Sequence, residues 1–226
     1  MESFRKLLDK CQTDKECNFV SLRNGKFWVP EEYQKRFLDL YVEASSEFSG
    51  ENYTALCWRP PKCAFKPLHL DIDLHVTGDV HISNEAFVEF AKLICSGITE
   101  VANTPGLGII LSRKVRNAIS KDKDGNQFYK SGFHLYGVGI LVSRKTAIAI
   151  RKKIMPEVED FRDEHSILNE TKDIVDDHVS PLGPNGLMMI SDFKPGRETG
   201  QNYHIFFSGT YDRSHQWVNP NFYKPE

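Results

Sequence analysis

The chain lacks the features that mark several large classes of protein. Its 226 residues contain no apolar run of about 18 residues, so we expect no membrane-spanning helix. The first residues, "MESFRKLLDKCQTDKEC", lack the apolar core of a signal peptide. The 29 basic and 31 acidic residues give a formal net charge of -2. The bulk charge therefore argues neither for nor against a nucleic-acid partner, and any such partner must be bound by local basic patches.

Cysteine is also scarce. The five cysteines form no dense framework, which is typical of a protein in a reducing compartment. Cys11 and Cys17 share their six-residue spacing with Cys57 and Cys63. Paired zinc ligands usually lie closer together in sequence, so these four cysteines are interpreted as free thiols and zinc is not expected.

The common nucleotide-binding and hydrolase motifs are missing. The sequence has no GxxxxGK[ST] loop, no GxGxxG fingerprint and no GxSxG elbow. These absences argue against P-loop, dinucleotide-binding and serine-hydrolase chemistry.

What is present is a mixture of helical and strand patterns, which predicts an α/β or α+β fold without an internal linker. Ser83 is a suitable N-cap for the clearest helix, and an Asp-Gly pair marks a turn within residues 121–127. The predicted helices cover residues 30–45, 83–101 and 143–155. The predicted strands cover residues 53–60, 67–76, 107–113, 130–142, 187–193 and 203–211.

The strand "PLHLDIDLHV" (67–76) carries the first chemical signal. Side chains alternate along a strand, so Asp71 and Asp73 point from one face while aliphatic residues occupy the other. Two parallel carboxylates repel one another unless a cation lies between them, and hard oxygen ligands suit Mg²⁺ or Mn²⁺. A solvated surface strand is the alternative interpretation, and the aliphatic neighbours favour the metal site. His69 and His75 could support the metal ligands or be solvated edge residues, and the second interpretation is preferred for both.

Further polar groups could join this site. "YKSGFHLYG" (129–137) places Lys130, Ser131 and His134 at a strand, where each can donate to phosphate oxygens. "DIVDDHV" (173–179) offers Asp176 or Asp177 as a third carboxylate. The basic segments 112–121 and 143–153 are candidate phosphate contacts, although such runs are most often solvated helix faces.

In this order, "LHLDIDL" (68–74), "KSGFHLY" (130–136) and "DIVDDHV" (173–179) resemble the archaeo-eukaryotic primase superfamily. The pattern is most similar to the N-terminal primase domain of primase-helicases from large cytoplasmic DNA viruses of the poxvirus and African swine fever virus type. Two features depart from it. Ser131 precedes His134 by three residues rather than two, and Met188 and Met189 stand where relatives often carry arginine.

The resemblance implies a fold in which an α/β module packs on an RRM-like module, with the active site in the cleft between them. It implies a DNA primase that uses two Mg²⁺ or Mn²⁺ ions, held by Asp71, Asp73 and Asp176. It also implies substrate-binding roles for a second set of residues, with Arg113 assigned to phosphate or template: Lys130, Ser131, His134, Lys194 and Arg113.

The implied partners are a single-stranded DNA template and nucleoside triphosphates, with no membrane. The resemblance further implies a location in the host cytoplasm and a superfamily 3-type helicase that follows in a longer protein. Residues 1–226 are then the catalytic domain, with a helical segment at 1–50 and a core at 51–226. The sequence leaves open the preference for ribonucleotides or deoxyribonucleotides, the start site, the second nucleotide site and the oligomeric state.

Two other functions remain open at this stage. The chain could be a catalytically weak nucleic-acid-binding module that serves an attached helicase, although the intact Asp-x-Asp pair and His134 argue against a decayed site. It could also be a metal-dependent nuclease, although His69 and His75 are too far apart for the usual histidine pair. Incubation with single-stranded DNA and metal separates extension, cleavage and binding.

Overall fold

The structure is a computed structural model that describes residues 1–23, 25–49, 52–59, 63–78, 80–114, 117–179, 181–192 and 202–224. Within these ranges, helices and strands alternate irregularly along the chain. In order they are α1 (Glu2–Lys10), β1 (Phe19–Ser21), β2 (Lys26–Phe27), α2 (Glu31–Ser45), β3 (Leu56–Trp58), β4 (Phe65–Val76), α3 (Asn84–Ala102), β5 (Gly106–Lys114), β6 (Ala118–Lys121), β7 (Gln127–Ser143), α4 (Arg144–Glu164), α5 (Thr171–Ile174), β8 (Leu187–Met188), β9 (Tyr203–Asp212) and β10 (Trp217–Phe222).

The predicted mixed α/β class is confirmed, and most predicted elements appear close to their expected bounds. Ser83 caps α3 as expected, because its hydroxyl accepts a hydrogen bond from the Ala86 amide at 3.1 Å. Helix α4 continues beyond the predicted end at residue 155, with Pro156 inside it. The strand predicted at 187–193 is only two residues long in the part of the chain that the structure describes. No helix in the described residues has the length and apolar character needed to cross a membrane.

The chain forms two compact units, of which the first comprises Met1–Cys63 and Asn185–Tyr203. Its sheet has the strand order β2-β1-β3-β8, with antiparallel neighbours. Helices α1 and α2 contribute to an aromatic core in which the Phe37 ring lies 5.1 Å from Phe4 and 4.6 Å from Phe19. Such burial of large apolar side chains is the main force that holds a small unit together.

A buried carboxylate in the first unit accepts hydrogen bonds from residues 54–56, at the start of β3. Asp192 is fully buried and accepts hydrogen bonds from the amides of Ala55 and Leu56, each at 2.8 Å. It also accepts from the Thr54 amide at 3.2 Å and the Thr54 hydroxyl at 2.5 Å. Both carboxylate oxygens therefore act as acceptors, which satisfies main-chain donors at the start of β3.

We expect Asp192→Asn to lower the free energy of unfolding by about 2 kcal/mol. The amide can accept at only one end, so its own N–H₂ group meets a donor and leaves a buried hydrogen bond unmade. Urea unfolding followed by circular dichroism measures the change. Asp39→Asn is the matched control, because Asp39 is an exposed partner of Lys35 on α2. An equal change in both variants contradicts this role for Asp192.

The second unit, Ala64–Pro184 and His204–Glu226, is built on a larger antiparallel sheet. Its strand order is β10-β9-β5-β7-β4, and β6 pairs with the first part of β7. One face of the sheet is buried by α3 and α4, where Phe90 stacks on Phe161 with ring centres 4.1 Å apart. The long strand β7 borders both β4 and β5, so it fixes the side chains of all three strands in one register.

Candidate active site

The second unit displays a polar surface on the face of β4 and β7 that points away from its core. The register pairs Asp71 with His134 and Asp73 with Gly132. Directly opposed residues of antiparallel strands project from the same face, so both carboxylates share a surface with the His134 imidazole. The intervening residues of β4 are at most 1% exposed and face α3 and α4: Leu68, Leu70, Ile72, Leu74 and Val76. The alternation predicted from the sequence is confirmed.

Asp176 lies next to this pair although about 100 residues separate it from them in sequence. Ile72 and Val175 form an antiparallel bridge, and the Asp176 amide donates to the Asp71 carbonyl at 3.0 Å. The residue after Val175 is therefore opposite Asp71 in the register, and its Oδ1 accepts a hydrogen bond from the His178 amide at 2.8 Å. Asp177, one residue further, is 57% exposed. The register thus favours Asp176 over Asp177 as the third carboxylate of this face.

His134 is held between two neighbours on the polar face. Its Nε2 lies 3.4 Å from Asp71 Oδ1, its Nδ1 lies 3.1 Å from the Tyr136 hydroxyl, and the side chain is only 2% exposed. Burial raises the pKa of Tyr136, so the phenol keeps its proton and can donate to Nδ1. In that arrangement Nε2 carries the ring proton and points it at the carboxylate. The histidine is therefore oriented from both sides.

The expectation that His69 is solvated is wrong. The side chain is 2% exposed because it opposes Tyr136 on β7, inside the sheet. Burial, together with the charge of Lys66, lowers the pKa of His69 to about 4, so the ring is neutral at physiological pH. His75 is half-buried, with its ring 4.1 Å from that of Phe128. Both histidine side chains therefore pack against neighbouring residues of the sheet.

Lys130 and Ser131 are neighbours in sequence but occupy opposite faces of β7. Lys130 pairs with His75, on the side of the sheet that carries Asp73 and His134. Ser131 pairs with the fully buried Leu74, and its hydroxyl is buried with no hydrogen-bond partner among the described residues. The structure brings Lys130 to the carboxylate surface and does not bring Ser131 there, because a spacing of three residues from His134 changes the face.

Gly132 occupies the position that opposes Asp73. Its φ is +131°, a backbone conformation that side chains disfavour. A Cβ atom at this position would lie 1.9 Å from the Ile72 carbonyl oxygen. Only glycine allows β7 to approach β4 this closely beside the carboxylates.

Arg113 does not join the carboxylate surface. Its neighbour Ser112 pairs with His134, so Arg113 projects from the opposite, helix-covered face of β5. There the guanidinium donates to the Ile82 carbonyl at 2.7 Å and to Asn84 Oδ1 at 3.2 Å, and it lies over the Phe87 ring at 4.6 Å. Lys194, the remaining predicted substrate-binding residue, lies outside the described residues.

The segment that carries Asp176 is held by groups that the sequence did not single out. Asn169 donates from Nδ2 to the Asp73 carbonyl at 3.0 Å and accepts from the His75 amide at 2.9 Å, so its side chain substitutes for a neighbouring strand. Arg151 of α4 donates to the carbonyl of Val175 at 3.2 Å and to that of Lys172. No sequence pattern identifies these partners, because the contacts depend on how α4 packs. Arg151 belongs to a basic run that was a candidate phosphate contact, and here it binds main-chain carbonyls instead.

The donor set on this face fits divalent cations. The Asp73 carboxylate has no hydrogen bond or ion pair within the described residues, and Asp71 and Asp176 are 16% and 31% exposed. Asp176 also lies next to the exposed Asp177 and His178, and the ligand atoms of these three residues lie within 4.8 Å of one another. Carboxylate oxygens are the ligands that Mg²⁺ and Mn²⁺ prefer. The specific ion does not follow from this geometry.

The family described as "C962R protein N-terminal AEP domain", in which AEP stands for archaeo-eukaryotic primase, matches residues 18–206. No curated protein matches the chain. The matched range contains all three carboxylates, His134 and Lys130, so the family match covers the polar face of the second unit.

Proposed function

The chain belongs to the archaeo-eukaryotic primase domain family of the C962R type, and from this premise we propose that it is a template-directed DNA primase. Membership of the family supports primase-like nucleotidyl transfer in general, with nucleic acid and nucleoside triphosphates as ligands. The proposal adds the direction by a template, the synthesis of short primers and the residues that act. It is carried by one observation, which is that the register places Asp176, remote in sequence, opposite Asp71 on the strand that carries Asp73 and pairs with His134.

Asp71, Asp73 and Asp176 are the residues that would hold two Mg²⁺ or Mn²⁺ ions. When bound, such ions lower the pKa of an attacking hydroxyl and neutralise charge on the phosphates. In the reaction, a 3′-hydroxyl attacks the α-phosphorus of a nucleoside triphosphate, a new phosphodiester bond forms, and pyrophosphate leaves. The aspartates supply fixed negative charge in a partly buried surface, where electrostatic interactions are stronger than in water.

The remaining side chains of the face position the triphosphate in this proposal. Tyr136 and Asp71 hold the His134 ring in place, and its Nε2–H, which points at Asp71 here, would turn to a phosphate oxygen once bound ions engage that carboxylate. Lys130 supplies a positive charge on the same face. Both groups can donate to phosphate oxygens. Lys194 keeps the role that the resemblance implies, while Ser131 and Arg113 are left out because they project from the other face.

Synthesis on a single-stranded DNA template tests the proposal. The protein is incubated with labelled ribonucleotides or deoxyribonucleotides and with Mg²⁺ or Mn²⁺, and the products are separated by length. We expect short labelled products that require both template and metal and that disappear with a chelator. Cleavage of the template instead of extension indicates the nuclease, and binding without either reaction indicates the helicase-serving module.

The proposal extends to the biological setting of the reaction and to an attached helicase. We infer that the chain acts in viral DNA replication at a site in the host cytoplasm and that a helicase domain follows it in a longer protein. The nucleotide preference is an outcome of the synthesis assay, since both kinds of triphosphate are supplied. Nothing in the geometry of the polar face depends on these features.

We expect Arg151→Gln to reduce the rate of synthesis by about tenfold, because displacement of a catalytic group by a fraction of an ångström weakens its alignment. Arg151 binds the carbonyl that immediately precedes Asp176, so its loss frees the segment that carries the third carboxylate. We also expect half-maximal activity to require a higher Mn²⁺ concentration. Steady-state rates across a Mn²⁺ titration measure both effects.

Lys152→Gln is the matched control for Arg151, because it removes one positive charge from an exposed position of the same helix. Arg151→Lys preserves the charge but loses the two-point hydrogen bonding, and we expect an intermediate rate. If Arg151→Gln lowers the rate without changing the Mn²⁺ requirement, the arginine does not act through Asp176.

A further inference from the structure

A cleft that opens beside the N-terminal end of α3 collects basic side chains of the second unit. Its volume is about 350 Å³, including space open to solvent. Two apolar residues of β9 form part of its wall, and five polar residues complete it. We call this the basic cleft, and its polar residues are His81, Asn84, Arg113, Lys114 and His204.

Arg113 provides a fixed positive charge at the base of the basic cleft. The side chain is 5% exposed, and its Nη1 is held by a carbonyl and an amide oxygen, both of them neutral. No carboxylate pairs with it among the described residues. Burial lowers the pKa of Arg113 to about 10, so the guanidinium remains charged at physiological pH. A buried charge without a counter-charge is costly, and a bound anion removes that cost.

The other walls of the basic cleft are compatible with an anion. Lys114 also lines the cleft, and none of its described lining residues is acidic. The His204 ring makes no hydrogen bond to the described residues and is half-buried. Helix α3, which is 19 residues long, begins at Asn84, and the positive end of a helix dipole also favours an anion.

We propose that the basic cleft binds a phosphate group, separate from the carboxylate face. Arg113 is the group that makes the site, because its guanidinium is held in place and its forked donors match phosphate oxygens. Two sources can deliver this chemistry: the backbone of a DNA strand and the phosphates of a nucleotide. The inference rests on the proposed function only for these two classes of ligand.

Binding without divalent metal tests the inference, because a chelator removes the contribution of the carboxylate face. Arg113 itself also stabilises the unit, so the variants are Lys114→Gln and His204→Asn, each checked for folding by circular dichroism. The probes are a labelled single-stranded DNA and, separately, a fluorescent nucleoside triphosphate. Lys145→Gln is the matched control, since it removes the same charge from an exposed position in the first turn of α4.

We expect Lys114→Gln to weaken binding of one probe by about five- to tenfold at moderate salt and to reduce the salt dependence of DNA binding by about one contact. A change confined to DNA identifies a strand phosphate, and a change confined to the triphosphate identifies a nucleotide. If neither variant differs from Lys145→Gln with either probe, or if the wild-type protein binds neither, the inference is overturned.

The two proposals can fail separately. The double variant Asp71→Asn with Asp73→Asn should keep the metal-independent binding and lose synthesis. A protein that makes no product but whose binding still depends on Lys114 contradicts the proposed function and leaves the basic cleft in place. If the protein makes primers but neither Lys114→Gln nor His204→Asn changes binding, the proposed function stands and the phosphate site in the basic cleft is overturned.

Discussion

Primer synthesis falls by at least about 10³-fold when Asp71 and Asp73 are both replaced by asparagine, if these carboxylates hold the ions as proposed. Asparagine keeps the size of aspartate and removes its negative charge. Phosphoryl and nucleotidyl transfer depend mainly on positioning and charge neutralisation, so few other groups can compensate. The residual rate in a template-dependent assay with saturating Mn²⁺ measures the loss.

The double variant should fold as well as the wild-type protein. Asp71 contacts His134 at 3.4 Å, whereas the Asp73 carboxylate makes no hydrogen bond or ion pair to the described residues, and asparagine keeps the size of both side chains. The substitutions also remove the repulsion between two like charges on one strand face, which favours an unchanged or higher melting temperature. Circular dichroism and thermal unfolding check this point. Loss of activity together with loss of structure would not support a catalytic role.

The third carboxylate has an internal control in the neighbouring residue. Asp176→Asn should approach the loss seen in the double variant, because the Asp176 amide is hydrogen-bonded beside Asp71. Asp177→Asn should retain most activity, because Asp177 is exposed and one residue out of register with Asp71. Retained synthesis in the double variant removes Asp71 and Asp73 from the mechanism. If Asp177→Asn loses synthesis and Asp176→Asn does not, Asp177 is the third carboxylate.

The second large effect is expected from Gly132→Ala. We expect the free energy of unfolding to fall by about 4 kcal/mol or more, because the added Cβ cannot fit and the strands must separate. The new atom would lie 1.9 Å from the Ile72 carbonyl oxygen, which is main chain and cannot rotate away. Since Ile72 lies between Asp71 and Asp73, any shift that relieves the clash also displaces the carboxylates. Urea unfolding and the synthesis assay measure the two consequences.

Gly139→Ala separates the clash from the backbone conformation. Gly139 also lies in β7 with a positive φ, +74°, but nothing lies within 4 Å of its added Cβ. Its substitution should therefore cost only about 1 kcal/mol, which is the typical penalty for the left-handed region. Similar losses of stability in both variants would show that the close approach of β7 to β4 is not what requires glycine at 132.

The local chemistry of the polar face could be predicted because it depends on the two-residue period of a strand. Asp71 and Asp73 fall on one face whatever the strand pairs with, and the aliphatic residues between them must then face the core. The helix at residues 83–101 was predictable for the same reason, since its N-cap and its apolar spacing are both local. Family resemblance added His134, whose role depends on a partner that strand periodicity does not identify.

The sequence by itself determined a mixed α/β chain with a paired-carboxylate strand and a short set of candidate partners. Only the tertiary structure decided which candidates meet. The pairing of β4 with β7 brought Lys130 and His134 to the carboxylates and turned Ser131 to the core. The bridge between Ile72 and Val175 places Asp176, rather than Asp177, opposite Asp71. Arg113 projects from the helix-covered face of β5 and therefore lines a different cleft. Strand pairing and helix packing are fixed by contacts between residues far apart in sequence, and the period along one strand shows which face is buried but not which strand is its neighbour.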